Sequence, residues 1–210
     1  YKLGADLPGE QRGFIPNAKT YDKAYRGSWN GLTIISISIG QGEITATPLQ
    51  IANLGATIAN RGYFITPHIV KEIEDNPLDT LYTSRRYTGI DRAHYDEVVK
   101  GMRAAVTGST GSATCRMVGT ILPGVEACGK TGTAQNRGKD HSVFMGFAPM
   151  DNPKIAIAVY VENGGFGAVY GVPIGAMMMD QYLHGKLSPQ NEILAEEFSN
   201  RVIYYSDEER

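Results

Sequence analysis

The sequence has 210 residues, and its apolar fraction of 42% is enough for the core of one domain or a large part of one. Its 20 basic and 22 acidic residues give a formal charge of −2, which excludes the electrostatic footprint of a nucleic-acid-binding protein. No apolar run reaches the roughly 20 residues that a membrane helix needs, and the first residues lack the basic start and apolar core of a signal peptide.

The cysteines and histidines give no pattern for a metal site, so we expect neither a metal nor a cofactor. Cys115 and Cys128 lack ligand spacing, and we expect two buried thiols, with a single disulfide as the alternative. No histidine pair has the spacing that places two rings on one helical face. The four histidines are His68, His94, His141 and His184.

The N-terminal part is rich in glycine, proline and charge, which predicts loops and turns over residues 1–31. In the following stretch "GLTIISISIGQG", isoleucines alternate with serines, and this alternation predicts a short extended segment. A tight turn is expected after it, at Gly40 and Gly42.

Two helices are predicted next. The first has Thr47 as its cap, Pro48 in its first turn and Gly62 after its last turn. The second starts at the cap residue Asp91 and continues to Val106 with apolar residues at helical spacing. A strand-like piece and a polar excursion lie between them.

The C-terminal half predicts a sheet between helices. A linker of small residues, "TGSTGSATC", precedes three strand-like runs, "VEACGKTGTAQ", "HSVFMGFAP" and "KIAIAVYVEN", which turn signals join into an antiparallel meander. An apolar helix, "YGVPIGAMMMDQYLHG", closes the domain, which we expect to span residues 1–187. Residues 188–210 are predicted to form a terminal helix capped by Ser188 and a solvated acidic tail.

The stretch "GVEACGKTGTAQN" supports two incompatible interpretations. Its Gly-x-x-x-x-Gly-Lys-Thr spacing matches a phosphate-binding loop, whereas Lys130-Thr131-Gly132 matches the Lys-Thr-Gly strand of penicillin-interacting enzymes. A phosphate loop needs a long helix after the lysine, and the glycines and threonines there disfavour one. We therefore expect a strand with Lys130 and Gly132 on one face and Thr131 and Thr133 on the other.

Five collinear blocks resemble class B penicillin-binding proteins, and most closely the penicillin-binding protein 2 group of cell-elongation transpeptidases. The blocks are "LPGEQRGFIPN", "SIGQGEITATPLQIANLGATIANRGYFITPHIV", "CGKTGTAQN", "HSVFMGFAPMDNPKIAIAVYVENGG" and "GVPIGAMMMDQYL". The resemblance implies an α+β fold, with a five-stranded antiparallel sheet flanked by helices.

The resemblance also implies the site. Lys130 sets the electrostatics of the active-site cleft, the hydroxyls of Thr131 and Thr133 hold a substrate carboxylate, and the Thr133 N–H supplies half of an oxyanion hole. The implied catalytic positions are Lys130, Thr131, Gly132 and Thr133. The implied substrate contacts are Thr131, Thr133, Ala134, Gln135 and, as the weakest expectation, His141.

The nucleophile motif of this family is not in the sequence, because no serine is followed by lysine at the third position. Ser28-Trp29-Asn30 spells the second motif, Ser-x-Asn, but downstream of the block it should precede, so we interpret it as a coincidence. We expect both motifs upstream of Tyr1, and we expect this chain alone to be inactive.

For the intact enzyme, the resemblance implies a serine D,D-transpeptidase that cross-links peptidoglycan stem peptides and binds β-lactams. It implies a single-pass inner-membrane anchor absent from this chain, a catalytic domain outside the cytoplasm, and membrane partners in cell elongation. A β-lactamase, or a β-lactam-binding sensor or scaffold without turnover, is an alternative. The strand "KIAIAVYVEN" would lack its neighbour here, so we expect self-association through its edge.

Overall fold

A computed structural model describes residues 1–108 and 114–204 and shows an α+β architecture. The N-terminal half is mainly helical and carries a two-stranded ribbon, and the C-terminal half contains the main sheet and further helices. The helices are α1 Ala18–Tyr25, α2 Gly31–Ser38, α3 Pro48–Ala59, α4 Thr80–Thr83, α5 Arg92–Thr107, α6 Arg116–Ile121, α7 Gly171–His184 and α8 Pro189–Ser199. The strands are β1 Tyr63–Phe64, β2 Arg86–Tyr87, β3 Cys128–Ala134, β4 His141–Ala148 and β5 Ile155–Val161.

The main sheet is the predicted antiparallel meander, with β4 in the centre and β3 and β5 at its edges. The register places Gly132 opposite Val143, and Val143 opposite Tyr160. Side chains opposite one another share a face of the sheet, so this register also assigns each strand residue to one of two cores.

Helices cover both faces of the sheet. One face packs against α3 and α5 in a core made of Ile58, Ala59, Tyr95, Val99, Met102, Cys128 and Phe147. The other face packs against α6 and α7 around Phe144, and α8 extends this core through Leu194 and Phe198. Both cysteines are buried free thiols, as predicted, and burial raises the pKa of Cys128 to about 12.

Several helix signals are confirmed. Thr47 and Gln50 form a reciprocal capping box at the start of α3, with Pro48 in the first turn. The Ser188 hydroxyl caps α8 by accepting from the Asn191 N–H. α5 and α7 also lie where the apolar spacing predicts them, although the Asp91 side chain makes no capping hydrogen bond.

The prediction of an extended segment before Gly40 is wrong, since residues 31–38 form α2. The Asn30 side chain accepts from the Leu32 N–H and starts the helix. No residue of α2 is buried, so the alternation of isoleucine and serine does not describe the face of a sheet. The expected turn is confirmed, because Gly40 and Gly42 have φ values of 79° and 71°.

Within the described residues, three other short helices were not predicted. α4 lies in the polar excursion, where the Asp79 side chain accepts from the Leu81 N–H. α1 lies in the stretch expected to be loop, where Asn17 and Thr20 form a capping box and Tyr21 is buried. α6 follows the small-residue linker, of which residues 109–113 lie outside the described part of the chain.

The acidic tail also lies outside the described residues, and the domain boundary expected at residue 187 stays a prediction. Within residues 1–108 and 114–204, no helix is long and apolar enough to cross a membrane.

A buried carboxylate joins α7 to α8. Asp180 accepts from Asn191 Nδ2 at 2.6 Å and from the Ser188 N–H at 3.1 Å, and it pairs with the His184 ring at 2.7 Å. Burial alone would raise the pKa of Asp180, but the hydrogen bonds from Asn191, His184 and Ser188 outweigh it and leave the pKa lowered.

We predict that Asp180→Ala lowers the free energy of unfolding by about 1–3 kcal/mol, because buried donors lose their acceptor. A lowered carboxyl pKa contributes stability above the unfolded-state pKa and loses it as the pH falls through the folded-state pKa. The deficit should therefore shrink in acid. Urea unfolding across a pH series measures it, with the exposed Glu196→Ala as control. Equal stability of Asp180→Ala and Glu196→Ala at neutral pH would contradict the assignment.

Candidate functional site

The Lys-Thr-Gly segment is a strand. Lys130, Thr131 and Gly132 lie within β3 and pair with Met145, Phe144 and Val143. A phosphate-binding loop would begin a helix at Lys130, so the structure excludes that interpretation of the sequence.

The backbone of Gly132 faces inward, toward β4. A Cβ atom built on Gly167 would lie 2.8 Å from the Gly132 carbonyl oxygen and would also meet the Val143 carbonyl oxygen. If this pair faced the other way, the two carbonyl groups would point away from each other, to opposite sides of the strand pair. Both oxygens can lie near one point only if they lie between β3 and β4. Gly132 and Val143 therefore form a hydrogen-bonded pair of the ladder.

It follows that Thr131 and Thr133 direct their N–H and C=O groups to the outer edge of β3, because backbone direction alternates along a strand. Two side-chain contacts at the outer edge agree with this. The Thr131 carbonyl accepts from Lys130 Nζ at 2.6 Å, and the Thr133 carbonyl accepts from Gln41 Nε2 at 3.3 Å.

The outward N–H groups of the two threonines differ in their surroundings. The Thr131 N–H faces the thiol of Cys115. Burial raises the pKa of this thiol. The Thr114 hydroxyl, the Lys130 charge and the Thr131 N–H partly offset that rise. Among residues 1–108 and 114–204, the outward N–H of Thr133 has no hydrogen-bond acceptor. The Thr133 N–H is therefore available as a backbone donor at the outer edge of β3.

The side chains of β3 alternate as predicted. The register puts Lys130 and Gly132 on the α3 and α5 side of the sheet and the two threonines on the α7 side. Lys130 is exposed and Thr131 is half-buried. The Thr131 hydroxyl donates to the Thr114 hydroxyl at 3.0 Å, which fixes its orientation at the edge of the sheet.

The remaining predicted contacts lie at the end of the strand or away from its outer edge. Ala134 ends β3, and Gln135 is exposed in the turn that follows. His141 lies on the central strand, where its Nδ1 accepts from the Asn163 N–H at 3.0 Å and its ring is 5.2 Å from that of Tyr160. This environment favours a packing role for His141.

Two positions that pack against the Lys-Thr-Gly strand, Ser142 and Gly167, were not identified from the sequence. The buried Ser142 hydroxyl accepts from the Gly171 N–H at 3.0 Å and donates to the Phe166 carbonyl at 2.9 Å. These bonds hold the loop between β5 and α7 against the sheet, with Gly167 over the Thr131–Gly132 segment. The glycine-rich run "NGGFG" was the available signal, because glycine marks places where backbones approach closely.

A Lys-Thr-Gly strand at the edge of a helix-covered antiparallel sheet defines a penicillin-interacting domain. Residues 1–180 match the family described as the penicillin-binding protein transpeptidase domain, and the chain belongs to this family.

Curated relatives include peptidoglycan D,D-transpeptidases named MrdA. The protein from Acinetobacter baumannii is 37% identical over 186 residues, which are 79% of this chain and 27% of the relative. The protein from Haemophilus influenzae is 31% identical over 208 residues, which are 90% of this chain and 31% of the relative. The chain thus spans less than a third of the length of these proteins.

Solved structures agree with this assignment. PBP2 of Pseudomonas aeruginosa in complex with WCK 5153 is 38% identical, with a TM-score of 0.76 over 88% of this chain and 40% of that one. A complex of PBP2 and MreC from Helicobacter pylori is 28% identical, with a TM-score of 0.70 over 88% of this chain and 33% of that one.

We predict that Gly167→Ala disturbs β3, because the added methyl group would overlap the carbonyl oxygens of Gly132 and Val143. Overpacking of this kind costs about 1–3 kcal/mol of stability. Amide exchange within Lys130–Ala134 should accelerate as the strand is displaced. Both effects are measured by urea unfolding and hydrogen–deuterium exchange.

Gly101→Ala is the matched control, because Gly101 lies in α5, has open space where a Cβ atom would lie, and does not have a left-handed φ. This substitution should stabilise the protein by up to about 1 kcal/mol through helix propensity. Unchanged stability and unchanged exchange in Gly167→Ala would show that the loop does not press on β3.

Proposed function

We propose that the protein is a peptidoglycan D,D-transpeptidase and that this chain supplies the C-terminal portion of its transpeptidase domain. The observation that carries the proposal is the outward N–H of Thr133, at the edge of β3 and next to the Lys-Thr-Gly residues. A developing oxyanion needs donors of this kind, fixed in place before the reaction, and each contributes about 2.7–4 kcal/mol.

The proposed reaction is acyl transfer in two steps. A serine from outside this chain attacks the penultimate D-alanine carbonyl of a stem peptide, forming an ester C–O bond. The C–N bond then breaks, and D-alanine leaves with the proton that the serine gave up. An amine of a neighbouring stem peptide then attacks the ester carbon and forms an amide C–N bond. The ester C–O bond breaks and the serine oxygen takes up the proton that the amine loses, so the exchange balances without a cofactor.

The residues of β3 have separate roles in this proposal. The Thr133 N–H donates to the oxyanion, and the hydroxyls of Thr131 and Thr133 donate to the terminal carboxylate of the substrate or of a β-lactam. The Thr131 hydroxyl turns its proton from Thr114 to this carboxylate when the ligand binds. The exposed Lys130 ammonium adds positive charge at the same edge. Gly132 lets the peptide approach the backbone, and Ala134 and Gln135 extend the contact surface. His141 contributes to packing.

Location and partners follow from the same assignment. We propose a membrane anchor outside this chain, with the catalytic domain on the extracytoplasmic side, where peptidoglycan is assembled. A structural neighbour forms a complex with MreC, and this supports a cell-elongation partner for the whole protein.

The first test uses a fluorescent penicillin. This chain alone should form no covalent adduct, because it has no Ser-x-x-Lys. The whole protein should be labelled at a serine outside these residues. Lys130→Ala in the whole protein should slow labelling by about 10²-fold, since positive charge at the carboxylate and oxyanion is lost.

Lys154→Ala is the control, because Lys154 is exposed just before β5, at the opposite edge of the sheet. Labelling of any serine within this chain would refute the proposed division of the site. A Lys130→Ala protein labelled as fast as Lys154→Ala would remove Lys130 from the proposal.

We also propose that this chain self-associates through β5. Within the described residues β5 pairs only with β4. Val143 directs its backbone groups toward β3, so its partner Tyr160 directs its own groups away from β4. The N–H groups of Ala156, Ala158 and Tyr160 therefore point outward. An exposed strand edge is a template for pairing with another chain.

Sedimentation velocity should show concentration-dependent association in the micromolar to millimolar range. Ala158→Pro should reduce it, because proline removes an outward N–H without removing a bond to β4. A sample that stays monomeric throughout this range would contradict association through the edge.

A further inference from the structure

We propose that Gln41 is a positioning residue for the acyl-transfer site, acting through the carbonyl group of Thr133. The inference rests on the proposed function. Gln41 Nε2 donates to the Thr133 carbonyl oxygen at 3.3 Å, across 92 residues of sequence. The contact reaches β3 from outside the sheet, at the residue whose N–H would bind the oxyanion.

The turn that carries Gln41 is held in one conformation. Gly40 and Gly42 flank it, with φ values of 79° and 71° that side chains other than glycine rarely adopt. The Gln41 N–H donates to the Ser36 carbonyl at 3.1 Å, which ties the turn to α2. Gln41 itself is half-buried, so its side chain has few alternative positions.

A second anchor of the turn is Glu43, two residues after Gln41. The Glu43 carboxylate accepts from the hydroxyls of Tyr25 and of the buried Tyr21, at 3.0 Å for Tyr21. Both hydrogen bonds lower the pKa of Glu43, and the one from Tyr25 has the larger effect. Phe14 and Thr45 form a reciprocal backbone bridge further on. The backbone that carries Gln41 is therefore held on both sides.

Thr133 needs such support because β3 ends one residue later, at Ala134. Few ladder bonds remain to hold its backbone, and the Gln41 amide supplies one from the outer side. The contact uses one lone pair of the Thr133 carbonyl oxygen and leaves the N–H of the same residue available. It therefore steadies the peptide group beside the donor without competing for the oxyanion.

The test compares Gln41→Ala and Gln41→Glu in the whole protein, using the acylation rate constant and the dissociation constant for a penicillin. We expect acylation to slow about three- to tenfold in Gln41→Ala, the loss of one ordinary hydrogen bond. Gln41→Glu should be slower still, because its carboxylate faces the Thr133 carbonyl. The dissociation constant of the non-covalent complex should change less than the rate constant in both variants.

Gln190→Glu is the control, because it makes the same chemical change at an exposed position of α8. An effect confined to stability or to the dissociation constant would show that Gln41 is only structural, and so would acylation as fast as in Gln190→Glu. These outcomes would overturn the inference and leave the proposed function standing. Absence of labelling in the unsubstituted whole protein would instead refute the proposed function.

Discussion

The backbone pairing of Gly132 with Val143 is the constraint on which the site depends. This pair turns the N–H and C=O groups of Thr131 and Thr133 away from β4 and toward the outer edge of the sheet. A shift of one residue would turn Gly132 outward, bury the Thr133 N–H in the ladder and exchange the two faces of the strand. The chemistry of the edge is therefore a property of strand register.

Glycines at two places allow other segments to stabilise that edge. Gly167 lets the loop between β5 and α7 lie on the sheet over Thr131, where Ser142 fastens it. On the outer side, Gly40 and Gly42 shape the turn that brings Gln41 to Thr133. A catalytic backbone group gains from such support because it must be in position before the transition state forms.

The sequence predicted elements whose signals are local. Turn residues and apolar runs located the meander, and the caps at Thr47 and Ser188 located α3 and α8. The alternation before Gly40 misled because α2 buries none of its residues, so no core imposes a period on it. The Lys-Thr-Gly motif located the site strand. The contacts of Gln41 and Gly167 depend on tertiary packing, and one sequence carries no direct record of them.

Amide hydrogen exchange at residues 132 and 133 of this chain tests the central claim most directly. The Gly132 N–H lies within the β3–β4 ladder and should be protected, whereas the outward Thr133 N–H should exchange much faster. NMR spectroscopy resolves the two amides individually. Slow exchange at Thr133 together with fast exchange at Gly132 would contradict the register, and with it the proposed oxyanion donor.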